Sequence, residues 1–152
     1  MIGLERVMTY TLTVTGPLAS TRGAPYGERQ YYEMTEGRLT GSGISATIAM
    51  PGGDWMLVSD DGYWRPDVRV QLKTDDGATI LLHYHGLVEQ SAVFKEAAEN
   101  DRQTDWEDVN MRMSMRFDTG DKRYQWLNQS LFVAEGRLLG SGKIEYRIYR
   151  IT

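Results

Sequence analysis

A chain of 152 residues, 41% hydrophobic and 25% charged, is long enough to bury a core without cross-links and reads as one domain over 1–152. Its formal net charge of −4, its pI near 5.2 and the lack of any basic stripe argue against nucleic acid as a partner. Cysteine is absent, which removes disulfides, thiolate metal sites and cysteine nucleophiles and fits a cytoplasmic location.

The opening Met1-Ile2-Gly3-Leu4-Glu5-Arg6 meets an acidic residue and then a strand pattern, unlike a signal peptide. No run approaches the ~18 apolar residues that span a bilayer, so no membrane partner is expected. Met8, Tyr10, Leu12 and Val14 alternate with three threonines, predicting a first strand that ends at Gly16-Pro17. A Gly, Pro and Ser-rich loop over 18–27 follows. Strand pattern then runs from Arg29 to Thr40 and, beyond Gly41-Ser42-Gly43, from Ile44 to Met50. Further strands are expected over Asp54–Ser59, Tyr63–Lys73, Thr79–Val88, Val109–Asp118, Gln129–Leu139 and Lys143–Ile151. One short helix is expected after Ser91, a plausible N-cap for the stripe Val93, Phe94 and Ala97. It needs docking to be stable and would form a crossover, a barrel end or a lid.

Glu36-Gly37-Arg38-Leu39-Thr40-Gly41-Ser42-Gly43 returns as Glu135-Gly136-Arg137-Leu138-Leu139-Gly140-Ser141-Gly142. The flanks do not match, so the echo reads as two similar hairpin turns. Eight to ten strands, short turns and one minor helix predict an all-β fold, and long strands favour a closed antiparallel barrel, which has no edges.

Four places could carry chemistry. In Gly52-Gly53-Asp54-Trp55 the glycines allow close backbone approach and are followed by a carboxylate and an indole. In a dry pocket Asp54 would have its pKa raised and could act as an acid or base; the plainer reading is an Asp bonded to its own turn. Asp67, Arg69, Gln71 and Lys73 share one strand face opposite Val68, Val70 and Leu72. That row is either a solvated wall or, if a second subunit covers the valines, the lining of a polar lumen. His83 and His85 share a face of one strand. No third ligand is marked by spacing, so a metal is not expected; His83 is the candidate proton carrier or ligand contact, and polar packing at a strand end is the plainer reading. Finally, Tyr124, Trp126 and Asn128 would, if extended, project together and form a wall for a flat organic ligand; a core with a hydrogen-bonded amide is the plainer reading.

Five blocks in order resemble the DUF3237 family, also called UPF0311: Gly52-Gly53-Asp54-Trp55, Asp61-Gly62, Asp67-Val68-Arg69, Thr74-Asp75-Asp76-Gly77-Ala78-x-Ile80, and Arg123-Tyr124-Gln125-Trp126-Leu127-Asn128. The resemblance covers most of the chain and implies a single antiparallel β-barrel, broadly like calycin or allene-oxide-cyclase barrels. It implies little about activity. Its motif residues fall on Asp54, Trp55, Asp67, Arg69, Tyr124, Trp126 and Asn128, and it favours the polar-lumen reading of the Asp67 row. His83 and His85 lie outside the matched blocks.

The resulting expectation is a barrel that works without a cofactor on a small organic molecule, by isomerisation, elimination, hydration or cyclisation. Asp54 would be the acid or base, Arg69 would bind an oxyanion and Asp67 would orient Arg69. Trp55, Tyr124, Trp126 and Asn128 would shape the pocket, and the molecule could form a homo-oligomer. A non-catalytic carrier barrel is the alternative.

Overall fold

The alternation of apolar and polar side chains is realised in nine strands. The computed structural model describes residues 1–152. In chain order the strands are β1 (Leu4–Ser20), β2 (Glu28–Gly41), β3 (Ile44–Val58), β4 (Tyr63–Trp64), β5 (Asp67–Thr74), β6 (Thr79–Glu89), β7 (Met111–Asp118), β8 (Phe132–Gly140) and β9 (Lys143–Ile151). Two short helices interrupt them: α1 (Ala92–Glu99) before β7 and α2 (Gln125–Asn128), entered through a 3-10 turn over Lys122–Tyr124.

Every neighbouring pair is antiparallel, and the sheet closes through β6–β7 and β1–β9. β4 and β5 share one slot, since Arg65 bridges Leu57 of β3 and Pro66, which has no N–H to give, separates the two pieces. The result is an eight-stranded barrel that winds up and down in sequence order. Closure leaves no unpaired edge.

Both copies of the Gly-Ser-Gly echo are hairpin turns. Gly41 pairs with Ile44 and Gly140 with Lys143, so each turn has two central residues. The first strand runs on through Gly16-Pro17 to Ser20, past the expected stop.

Alternation decides what fills the barrel. Tyr10, Leu12, Val68, Leu72, Ile80, Leu82 and Tyr84 point inward and are almost wholly buried. Met111, Met113, Met115 and Phe117 form one continuous inward row on β7. The outward rows carry threonines and charges. No helix is long and apolar enough to cross a membrane.

The two ends of the barrel differ. At one end Phe117 meets Phe132 edge-on at 5.1 Å and Trp126 meets Phe132 at 6.0 Å, with Leu127 of α2 buried. That end is plugged. At the other end the interior is left open beneath α1, whose N-terminus is capped by Ser91 Oγ accepting from the Phe94 N–H at 3.1 Å.

Candidate functional site

The open half of the barrel holds a cavity of about 610 Å³. Its walls are Tyr32 and Met34 from β2, Asp54 and Met56 from β3, Trp64, Pro66 and Val68 around the β4–β5 break, Tyr84 and Val88 from β6, Met111 from β7, and Ile144 and Tyr146 from β9. Phe94, Lys95, Ala97 and Ala98 of α1 cover the mouth with Arg102, and Lys143 lines it from the start of β9. This volume suits a small organic molecule, and mostly apolar walls with a few polar groups are typical of such sites.

Asp54 is the charged group deep in this wall, with only 4% of its surface exposed. Its position follows from the chain just before it. β3 slips register by one residue between Ile48 and Met50 and again between Met50 and Gly53, which bends the strand and keeps Asp54 on the inward parity. A Cβ on Gly52 would come within 2.7 Å of the Arg69 carbonyl oxygen, and one on Gly53 within 2.6 Å of the Tyr31 ring. The two glycines therefore let β3 pass close to β5 inside and leave room for Tyr31 outside.

The Asp54 carboxyl accepts one hydrogen bond, from the Asp67 backbone N–H to Oδ1 at 3.0 Å. Burial raises its pKa to about 6; the Asp67 N–H opposes the shift and the Asp67 carboxylate adds to it. Around it stand three tyrosines whose hydroxyls are raised chiefly by burial, and the Asp54 charge adds to the rise at Tyr32, Tyr84 and Tyr146. Tyr32 donates to Gln30 Oε1 at 2.7 Å, and Tyr84 faces the Met34 sulfur at 3.9 Å. Tyr146 packs edge-on against Tyr84 at 5.7 Å and stacks on Tyr10 at 6.4 Å. A carboxyl with its pKa pushed up to about 6 beside phenols can donate or accept a proton, and in its protonated form can hydrogen-bond a developing oxyanion.

The remaining residues singled out in the sequence lie elsewhere. Arg69 is exposed on the outer wall, and the expected polar lumen is corrected to an apolar one because Val68, Val70 and Leu72 fill the inward side of β5. No covering subunit is needed to bury those side chains. Asp67 also points outward, where its Oδ1 meets His83 Nε2 at 3.1 Å, so His83 is an outer-wall residue. Trp55, 47% exposed, alternates out of the barrel and packs on Tyr31 at 5.3 Å.

Tyr124, Trp126 and Asn128 belong to the plugged end, and the extended wall expected from them is corrected to a 3-10 turn and one turn of helix. Asp121 starts that turn by accepting from the Arg123 N–H. Tyr124 donates to Asp76 Oδ2 at 2.7 Å. Asn128 clamps Thr119, accepting from its N–H at 2.9 Å and donating to its carbonyl at 2.7 Å. The rings of His83 and His85 lie 6.1 Å apart, and no cluster of three or more His, Asp or Glu side chains is arranged to hold a metal.

Asp54 was among the candidates marked in the sequence, whereas Tyr32, Tyr84 and Tyr146 were not. The signal was parity: Tyr84 shares its face with the buried Leu82, and Tyr146 its face with Ile148.

The family model described as "Protein of unknown function (DUF3237)" matches residues 2–151. The chain belongs to the DUF3237 family. A UPF0311 protein of Clostridium acetobutylicum is 27% identical over 130 residues, covering 85% of this chain and 82% of the relative. Among solved structures, a conserved protein of unknown function from Rhodopseudomonas palustris superposes with a TM-score of 0.86 at 23% identity, covering 100% of this chain and 99% of that one. A protein of Penicillium herquei described as an enzyme superposes with a TM-score of 0.69 at 20% identity, covering 99% and 95%. At these identities the two structures establish a shared fold.

Proposed function

We propose that this DUF3237 barrel is a cofactor-independent enzyme that moves a proton on a small organic molecule held in the lumen, in an isomerase, lyase, hydratase or cyclase reaction. The observation that carries the reading is Asp54: a buried carboxyl with a pKa near 6, facing an apolar cavity large enough for a substrate. Asp54 is the acid or base. Tyr146 is the hydrogen-bond donor for the oxygen on which charge develops, since it lines the cavity and stands within the reach of the Asp54 charge. The apolar walls exclude water and strengthen both effects. Description of the Penicillium herquei barrel as an enzyme lends the fold-level analogy. The cysteine-free composition agrees with work in the cytoplasm.

The test follows proton exchange directly. Cyclic enones, lactones and aromatic acids are incubated with the protein in D2O, and conversion or deuterium uptake is followed by proton NMR. Wild type is expected to convert or label at least one compound. Asp54→Asn is expected to bind it, with turnover lower by about 10²–10⁴-fold. Retained turnover in that variant overturns the assignment of Asp54. A second reading, a carrier, is favoured by the methionine-rich apolar wall of Met34, Met56 and Met111. Compounds bound equally by both proteins and recovered unlabelled would establish it.

A further inference from the structure

The cavity has a charged doorway. Lys95 of α1 and Lys143 of β9 are exposed at its mouth, and neither has a carboxylate within 4.0 Å. Arg102, also on the rim, is already paired with Glu96. The acidic groups of the rim are Glu99 and Asp101, and Asp101 Oδ1 accepts from the Gly142 N–H at 3.4 Å. With the Arg102–Glu96 pair counted as neutral, two lysines and two carboxylates remain at the mouth, and both lysines are without a salt-bridge partner. Two unpaired ammonium groups thus stand where a ligand must enter.

Resting on the lumen reading above, we infer that the ligand is an organic acid: an apolar body that fills the barrel and one anionic group, such as a carboxylate, held at the mouth between Lys95 and Lys143. Two lysines from separate elements suit a monoanion because each supplies a mobile ammonium, and together they draw the anion in along its path of entry. The anionic end stays in water beside the lysines, which spares it the cost of burial. The opposite end reaches toward Asp54 and Tyr146. The anion therefore orients the molecule and selects which carbon meets the acid.

Two fluorescent probes of the same shape test this. 1-Anilinonaphthalene-8-sulfonate carries one negative charge, and N-phenyl-1-naphthylamine is its uncharged counterpart. Wild type is expected to bind the sulfonate more tightly than the neutral probe. Lys95→Met combined with Lys143→Met should weaken the sulfonate by about tenfold and leave the neutral probe within about twofold. Glu99→Gln should tighten the sulfonate. Met56→Trp and Val68→Phe, each checked for folding by circular dichroism, should abolish both by filling the cavity. Equal affinity for the two probes, or a sulfonate affinity indifferent to the lysines, overturns the organic-acid inference and leaves the lumen reading standing. Binding of neither probe, or binding that survives both filled-cavity variants, overturns the two together.

Discussion

Asp67 holds Asp54 through the barrel wall. Its backbone N–H donates to Asp54 Oδ1 on the inside at 3.0 Å, while its own carboxylate meets His83 Nε2 on the outside at 3.1 Å. The inner contact uses main chain, so it survives any replacement of Asp67 other than proline. The carboxylate acts on Asp54 only by its charge, which raises the Asp54 pKa. Asp67→Ala should therefore keep the site intact and move the pH inflection of activity downward from about 6. Unchanged inflection would remove that electrostatic link.

The raised pKa of Asp54 makes stability depend on pH. The folded state holds this proton more tightly than the unfolded chain, whose ordinary value is 3.8. Stability is thus greatest below that value, falls as pH rises from 3.8 through about 6, and stays low above. The difference corresponds to about 3 kcal/mol at most. Asp54→Asn, which keeps an acceptor for the Asp67 N–H, should stabilise the protein by up to that amount at about pH 8 and little at about pH 4. Urea unfolding at the two pH values checks it; equal effects at both would show that Asp54 is not an uncompensated charge.

Tyr10 and Tyr146 stack, yet their hydroxyls have different prospects. The Tyr10 hydroxyl is buried without a partner, so Tyr10→Phe should leave stability unchanged or raise it by up to about 1 kcal/mol, with activity retained. Tyr146→Phe should keep the stack and lose activity by about 10²-fold or more. Comparable turnover in the two variants would take the oxyanion role away from Tyr146.

The outer wall and the plug give the opposite pattern. Arg69→Ala should leave turnover unchanged, because that side chain stands outside the barrel. Asn128→Ala breaks both bonds to Thr119 and should cost about 2 kcal/mol in thermal or urea unfolding. Its turnover at temperatures where it is folded should match wild type. Lost turnover in a folded Arg69 variant would mean that the outer wall takes part in the chemistry.

The barrel was legible because period-two alternation is strong in nearly every strand, and Asp54 was legible because two glycines before a carboxylate mark a backbone under close contact. Face was harder. The valine row of β5 pointed inward by composition alone, but the matched blocks drew Asp67 and Arg69 in with Asp54. A strand places successive residues on opposite sides of the wall, so a contiguous motif mixes lumen and surface: Asp54 faces in and Trp55 out. At Tyr124–Asn128 the Asp121 cap was the overlooked cue to helix. That Lys95 and Lys143 line one cavity had no local signature, since it arises only when α1 packs against β8.

The seam where β1 pairs with β9 joins Leu4 to Ile151 and Thr13 to Lys143, and Tyr146, Ile144 and Lys143 of the cavity all sit on the later of these strands. The β1–β9 pairing closes the barrel over Tyr10 and the methionine row of β7, which are buried inside it. Loop closure over so many residues is slow relative to hairpin formation, so the seam is expected to form late. The cavity is complete only once that pairing is made. A molecule that fits the lumen would act as a clasp on this last strand, slowing its release far more than it hastens its arrival.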